Sequence, residues 1–293
     1  MFTKTILKTV LLMSIIILIL FGCAGKKAFW GNEKTGFIFN YRLLQNQIWN
    51  YDAVTKQSST QEVMGQSYES TTNIVADYSI KGLGFDKEKN ITSQVMMDSI
   101  SIVTESRQGE MKPDLSPIIG KSFGFTFSPK GEKIAFSNPD SIKVSFGPMG
   151  GQRNAESFFR NMLPKLPDTP IKIGDSWTVN EERMEPEGGL NINVKTETVN
   201  TVTGLETLDN VECLKITAKT TGMLDGKGKQ MGMDVDFEGD LDGTSVWYYA
   251  YKEGAFVKAT AENVVEGTAA LTGPQNLTVP ITQETKSEVK LVR

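Results

Sequence analysis

The chain has 293 residues, a formal charge of −4, two cysteines and no histidine. The missing histidine excludes Ser-His-Asp and Cys-His catalysis, HExxH zinc sites and His-ligated metals. Two cysteines exclude a disulfide scaffold and a four-cysteine zinc site, which leaves carboxylate or lysine chemistry, binding, or a structural role.

Residues 1–22 read as an export signal. Lys4 and Lys8 form a basic start, and an apolar run from Val10 to Phe21 follows, interrupted only by Ser14. The run is short for a membrane span, which needs about 20 apolar residues. Leu20-Phe21-Gly22-Cys23 resembles the lipobox of bacterial lipoproteins. That resemblance implies a lipidated Cys23 as the new N-terminus. Two or three acyl chains, at about 0.8 kcal/mol per buried methylene, anchor a domain firmly. Removing Lys4 and Lys8 from the 31 basic residues leaves 29 against 35 acids, so no basic surface for nucleic acid or anionic lipid is expected. Ala24 and Gly25 carry no obvious inner-membrane retention signal, which favours the outer membrane over the inner. Residues 23–36 read as a polar, glycine-bearing tether.

From residue 37 onward a period of two dominates, and 37–293 reads as one β-rich domain, divisible into halves at 37–150 and 165–293. Phe37, Phe39 and Tyr41 alternate, in a run continuing to Tyr51. Thr71–Ile80 and Ile91–Thr104 are strand-like. Phe123, Phe125 and Phe127 lead through Ser128-Pro129-Lys130-Gly131 into Lys133–Ser137, a hairpin. The spacing predicts a short central helix from Asn154 through Leu163, ended by Pro164. Ile192–Val202 and Val211–Thr220 alternate. Met231, Met233, Val235, Phe237 and Leu241 share one face of a strand, and Asp234, Asp236, Glu238, Asp240 and Asp242 share the other. Val246–Tyr251 and Ala255–Thr260 form a hairpin, and Leu277 opens a final strand ending near Val292. The expected fold is mainly β: a large curved antiparallel sheet or open β-barrel with one short central helix. Its concave apolar face is expected to hold a cavity lined by Phe125, Phe127, Met231, Met233, Phe237, Trp247 and Tyr249.

Five features stand together: Cys23, the Tyr41…Gln45…Gln47 strand, the Phe123-Gly-Phe-Thr-Phe127…Gly131 hairpin, Leu166-Pro167…Gly174-Asp175-Ser176-Trp177, and Val246-Trp247-Tyr248…Gly254. Together they resemble a family of uncharacterised bacterial envelope lipoproteins. The chain is more distantly similar to the lipoprotein-carrier and mycobacterial lipid-binding lipoprotein superfamily. That similarity implies a curved sheet over helices around an apolar cavity. It carries over no catalytic residue.

Several motifs invite chemistry and are set aside. Gly120-Lys121-Ser122-Phe123-Gly124 matches a nucleophile elbow without a histidine or a following helix. The same stretch lacks the first glycine of a P-loop, because Leu115 stands there. Gly226-Lys227-Gly228-Lys229 reads as a flexible hairpin tip rather than a phosphate cradle. The acidic row from Asp234 to Asp242 has residues about 7 Å apart, too far for one calcium ion. Ser287-x-x-Lys290 lies in a strand, whereas that motif works from a helix. In Gly174-Asp175-Ser176-Trp177 the aspartate reads as a turn former and the tryptophan as a core anchor. Cys213 reads as an inert half-buried thiol. No metal, cofactor or catalytic residue is expected. The expected role is a non-enzymatic, lipid-anchored envelope protein binding a hydrophobic ligand or a protein partner. The alternatives are an assembly module without a small ligand and a carboxylate-dependent enzyme acting on glycans.

Overall fold

The computed structural model describes residues 29–137, 143–145, 152–159, 162–187, 190–230, 232–273 and 276–293. The export signal, Cys23 and Met231 lie outside the described residues. In chain order the strands are β1 (Gly31–Asn32), β2 (Gly36–Phe37), β3 (Ile48–Val63), β4 (Gln66–Phe85), β5 (Ile91–Ser106), β6 (Gly109–Met111), β7 (Ser122–Phe127) and β8 (Lys133–Ser137). There follow β9 (Lys143–Ser145), β10 (Gln152–Asn154), β11 (Ser176–Glu187), β12 (Leu190–Leu208), β13 (Val211–Gln230), β14 (Met233–Ala250), β15 (Ala255–Thr272) and β16 (Leu277–Val292).

Twelve of these strands form one antiparallel sheet. Its order is β11-β12-β13-β14-β15-β16-β3-β4-β5-β7-β8, with β6 beside β5. The sheet curves but does not close into a barrel. Each half is a meander, and the last strand joins the first strand of this sheet: β16 pairs β3 from Ile281↔Gln61 to Val292↔Asn50. A single sheet therefore runs through both halves of the chain. β4 and β13 are each 20 residues long, about 65 Å at roughly 3.3 Å per residue.

Tight turns make such long pairings possible. Leu208 pairs Val211 across Asp209 (φ 48°) and Asn210 (φ 64°). Two residues at positive φ are the turn whose twist matches a hairpin. Met64 and Gly65 do the same between Val63 and Gln66. Threonine ladders add cross-strand bonds, as between Thr72 and Thr104 (2.9 Å) and between Thr198 and Thr220 (3.0 Å). Each such pair contributes about 0.2–1 kcal/mol.

The main core gathers at one end of the sheet, here termed the base. Trp49, Tyr51, Tyr78, Ile80, Trp247 and Tyr249 point inward from the strands. Against them lies residues 37–43, an extended segment with Phe37, Phe39, Tyr41 and Leu43 all buried. Its alternation suggested a strand, yet beyond Phe37 it joins no ladder. Its main chain bonds instead to scattered partners: Ile38 to Trp30, Tyr41 to Pro129, and Arg42 to Gly254. Gly254 sits at φ 71°, and a Cβ there would strike Arg42 and the Asn40 carbonyl, so the site requires glycine. A second, smaller apolar cluster of Val235, Phe237, Ala269 and Val279 lies farther along the same face.

The predicted helix over 154–163 is corrected. Among the described residues the segment holds only a 3-10 turn, Ala155–Phe158. Phe159 is buried beside Phe123 (5.8 Å) and Phe136 (6.0 Å). Packing of these rings, rather than helix periodicity, therefore fixes the segment. The helices implied by the carrier resemblance are likewise not found among the described residues.

Candidate functional site: a trough on the polar face

The described members of the expected cavity lining fall into separate clusters on one face of the sheet, and Met231 lies outside the described residues. Phe125, Phe127, Trp247 and Tyr249 belong to the main core, and Phe237 to the smaller cluster. Met233 is half-buried at the start of β14. The four main-core rings contact other rings directly. Phe125 stacks on Phe127 at 5.1 Å, Phe39 stacks on Tyr249 at 5.1 Å, and Trp177 meets Trp247 edge-on at 5.9 Å. The chain's own Phe37–Leu43 segment therefore occupies the apolar face at the base. Each fully buried ring contributes roughly 1.5–3 kcal/mol through burial.

Polar bonds fix that segment. The Tyr249 hydroxyl accepts from the Asn40 N–H at 3.0 Å and donates to the Asn40 carbonyl. Burial raises its pKa well above the ordinary phenol value. Lys130 Nζ donates to the carbonyls of Phe39 and Pro167, each at 2.7 Å. Partial burial lowers the Lys130 pKa, and Asp168 opposes the shift. On β12, Asn200 is buried and its Oδ1 accepts from Trp247 Nε1 at 3.2 Å. Sequence reasoning passed over Asn200. The signal was a lone amide on the inward face, with Val194 and Val202 on the same side.

A large concavity lies on the opposite, polar face. It encloses about 1370 Å³ and is lined by the outward residues of β12, β13, β14, β15, β16 and β3. Small-molecule pockets are usually about 300–1,000 Å³. Here the walls mix the apolar side chains of Val54, Val199 and Val246 with hydroxyls, including Thr201, Thr217, Thr221, Thr244 and Thr260. Four lysines (Lys56, Lys219, Lys286, Lys290) face four acids (Asp52, Glu197, Glu262, Glu288). Lys286 pairs with Glu262 at 3.1 Å across the strands.

Two further hollows, of about 830 and 850 Å³, continue this face toward the far end. They share Lys195, Met223 and Asp240 with each other, and one shares Glu197 and Thr221 with the main trough. Their walls include Asp225, Glu238, Asp240, Asp242 and Glu266. Lys195 is the one cation among their described lining residues, and it pairs with Glu182 at 3.2 Å. The trough is thus charge-balanced near the base and acidic toward the far end.

The structure places the remaining motifs as follows. Gly226–Lys229 lies inside β13, so the hairpin-tip reading is corrected; the turn comes later, at Gly232 (φ 79°). Lys227 pairs with Asp236 (2.9 Å) and Lys229 with Asp234 (3.5 Å) on β14, which extends the ladder through the glycines. Among the described residues no group of three acids or thiols stands ready for a metal. Ser122 opens β7 and is exposed, and Ser287 and Lys290 lie in β16. Asp175 Oδ2 accepts from the Lys172 N–H at 3.0 Å and shapes the turn before Trp177.

Cys213 is fully buried with Ala250 and Val257, away from the main core. Burial pushes its thiol up to about 11. Among the described residues, Asp86, Asp114, Glu182, Glu206 and Glu212 titrate below the ordinary carboxylate range. Hydrogen bonds from Lys215 to Glu206, from Lys252 to Glu212 and from Lys195 to Glu182 cause three of these shifts.

No family model matches the sequence, and no curated protein matches it. Among solved structures, a BenF-like porin from Pseudomonas fluorescens is 6% identical, covers 86% of this chain and 100% of its own, and gives a TM-score of 0.21. OccK11 (OpdR) of Pseudomonas aeruginosa is 5% identical, with 88% and 100% covered and a TM-score of 0.20. A DUF1329 family protein from Desulfovibrio piger is 11% identical, with 79% and 83% covered and a TM-score of 0.13.

Proposed function

We propose that this is a lipid-anchored protein of the bacterial cell envelope, at the outer membrane, that binds a protein partner along its polar trough and catalyses no reaction. The anchor rests on Cys23 and the apolar run before it. The observation that carries the binding mode is the trough of about 1370 Å³ on the polar face. The apolar face at the base, the natural seat for a hydrophobic ligand, is filled by Phe37–Leu43.

The chemistry of the walls selects the partner. Hydroxyls donate and accept, so they suit an extended polar polypeptide. The acidic far end suits a lysine- or arginine-bearing segment, because complementary charge steers encounter and fixes register. The strands do not suit a membrane barrel, which needs an outward apolar band about 25 Å tall. Asp234 to Asp242 and Lys286 to Lys290 line the outward face instead.

Native mass spectrometry of the full chain from bacterial membranes tests this reading. The expected mass includes acyl chains on Cys23 and no second, non-covalent lipid. An unmodified Cys23, or a stoichiometric apolar ligand, would overturn it.

A further inference from the structure

We infer that the base of the sheet is a second membrane contact, which seats the domain directly on the bilayer. This inference rests on the lipid anchor proposed above and adds to it a docking surface and an orientation.

Exposed large apolar side chains gather at this end: Phe29 (63%), Leu44 (61%), Ile48 (51%), Leu83 (49%), Phe85 (55%) and Val292 (42%). Isolated exposed apolar residues are ordinary, but these are neighbours. Ile48 stands directly opposite Lys81, Leu83 follows at the bulge between Gly82 and Gly84, and Phe85 closes the strand opposite Ile91. Val292 stands opposite Asn50, two residues along the same face from Ile48. The Leu44 carbonyl lies so close to Gly82 that a Cβ there would come within 2.2 Å, which holds the 44–47 turn against β4. The result is an apolar row across the ends of β16, β3 and β4. Contiguous exposed apolar surface of this kind marks an interaction site. Charges of both signs rim it: Lys81 lies within the row, Arg293 next to Val292 pairs with Glu253 at 2.8 Å, and the turn after Phe85 alternates Asp86, Lys87, Glu88 and Lys89. An apolar strip with a charged rim fits the boundary between acyl chains and headgroups.

The route of the chain identifies the occupant as the bilayer. Phe29 packs under the Arg42 guanidinium at 5.3 Å, and Arg42 bonds to the Tyr251 carbonyl in the β14–β15 hairpin at this same end. Phe29 is six residues from Cys23. Fully extended, six residues span about 20 Å, far less than the length of the sheet. A bilayer holding Cys23 therefore lies beside the base and remote from the Met64-Gly65 turn at the far end.

The test uses the full lipidated chain in vesicles of phosphatidylethanolamine and phosphatidylglycerol. An environment-sensitive fluorophore is attached at L83C or F85C, with M64C as the far-end reference. Flotation with the vesicles reports the anchor; emission shift and quenching by nitroxide-labelled lipid report docking. Labels at Leu83 and Phe85 are expected to shift blue and be quenched several times more than the label at Met64. A floating protein whose Leu83 and Phe85 labels match the Met64 label overturns the docking and leaves the anchor standing. Failure to float overturns both. A Leu83→Glu/Phe85→Glu variant labelled at I48C, still floating, is expected to lose the quenching; unchanged quenching would also overturn the contact.

Discussion

The Tyr249 hydroxyl bonds to both main-chain groups of Asn40, accepting from its N–H at 3.0 Å and donating to its carbonyl. These residues are 209 positions apart. One phenol thus replaces the ladder that the Phe37–Leu43 segment lacks. Tyr249→Phe keeps the ring stack on Phe39 and leaves both Asn40 groups without this partner. Denaturant unfolding is expected to show a loss of about 1–3 kcal/mol. An unchanged midpoint would mean that the segment is held by packing alone.

Alkaline pH tests the buried tyrosines together. Burial raises the pKa of Tyr41, Tyr51, Tyr78 and Tyr249 above the ordinary value of 10.0. The folded state keeps these phenols protonated while the unfolded chain ionises. Their contribution is therefore fully present below about pH 10 and is lost as the pH rises further. The phenolate absorbance of these four, out of seven tyrosines, should appear together with unfolding, detected by circular dichroism, rather than before it.

Cys213 gives a chemical readout of the same linkage. Its thiol is buried and pushed up to about 11, against an ordinary 9.0. At neutral pH a thiol reagent should modify the folded chain at the rate of transient unfolding only, and rapidly in denaturant. Fast modification of the native chain would contradict the burial.

Asn200 and Trp247 form a buried amide–indole pair at 3.2 Å. Asn200→Leu leaves the indole N–H unpaired in the core. A cost of about 1–3 kcal/mol is expected, with a shift in tryptophan emission. A neutral result would show that the indole finds another acceptor.

The particulars show what the sequence made legible. Alternation marked at least part of most long strands, because one face of each is buried and the other wet, but it passed over β11 and the stretch of β3 beyond Tyr51. The same alternation in Phe37–Leu43 marked burial but not pairing. Ladder partners depend on what lies alongside, and here those neighbours are Trp30, Pro129, Gly254 and Tyr249. Strand ends were underestimated at Thr220, since Gly222, Gly226 and Gly228 looked like loop residues. In the fold they lie in β13 beside β12 and β14, where Gly222 and Gly226 let Thr196 and Ile192 approach closely. The trough was not legible. Its residues read as a solvated face, and the concavity arises only when six strands curve together.

The most direct test of the trough is photo-crosslinking in living cells. A photoreactive amino acid is placed in the full chain at Lys219 or Thr244 in the trough, or at Met111 on β6 as a reference. Trough positions should yield a discrete protein adduct that weakens at high salt, and Met111 should yield none. Silence at Lys219 and Thr244, with the protein folded and anchored, would contradict the account.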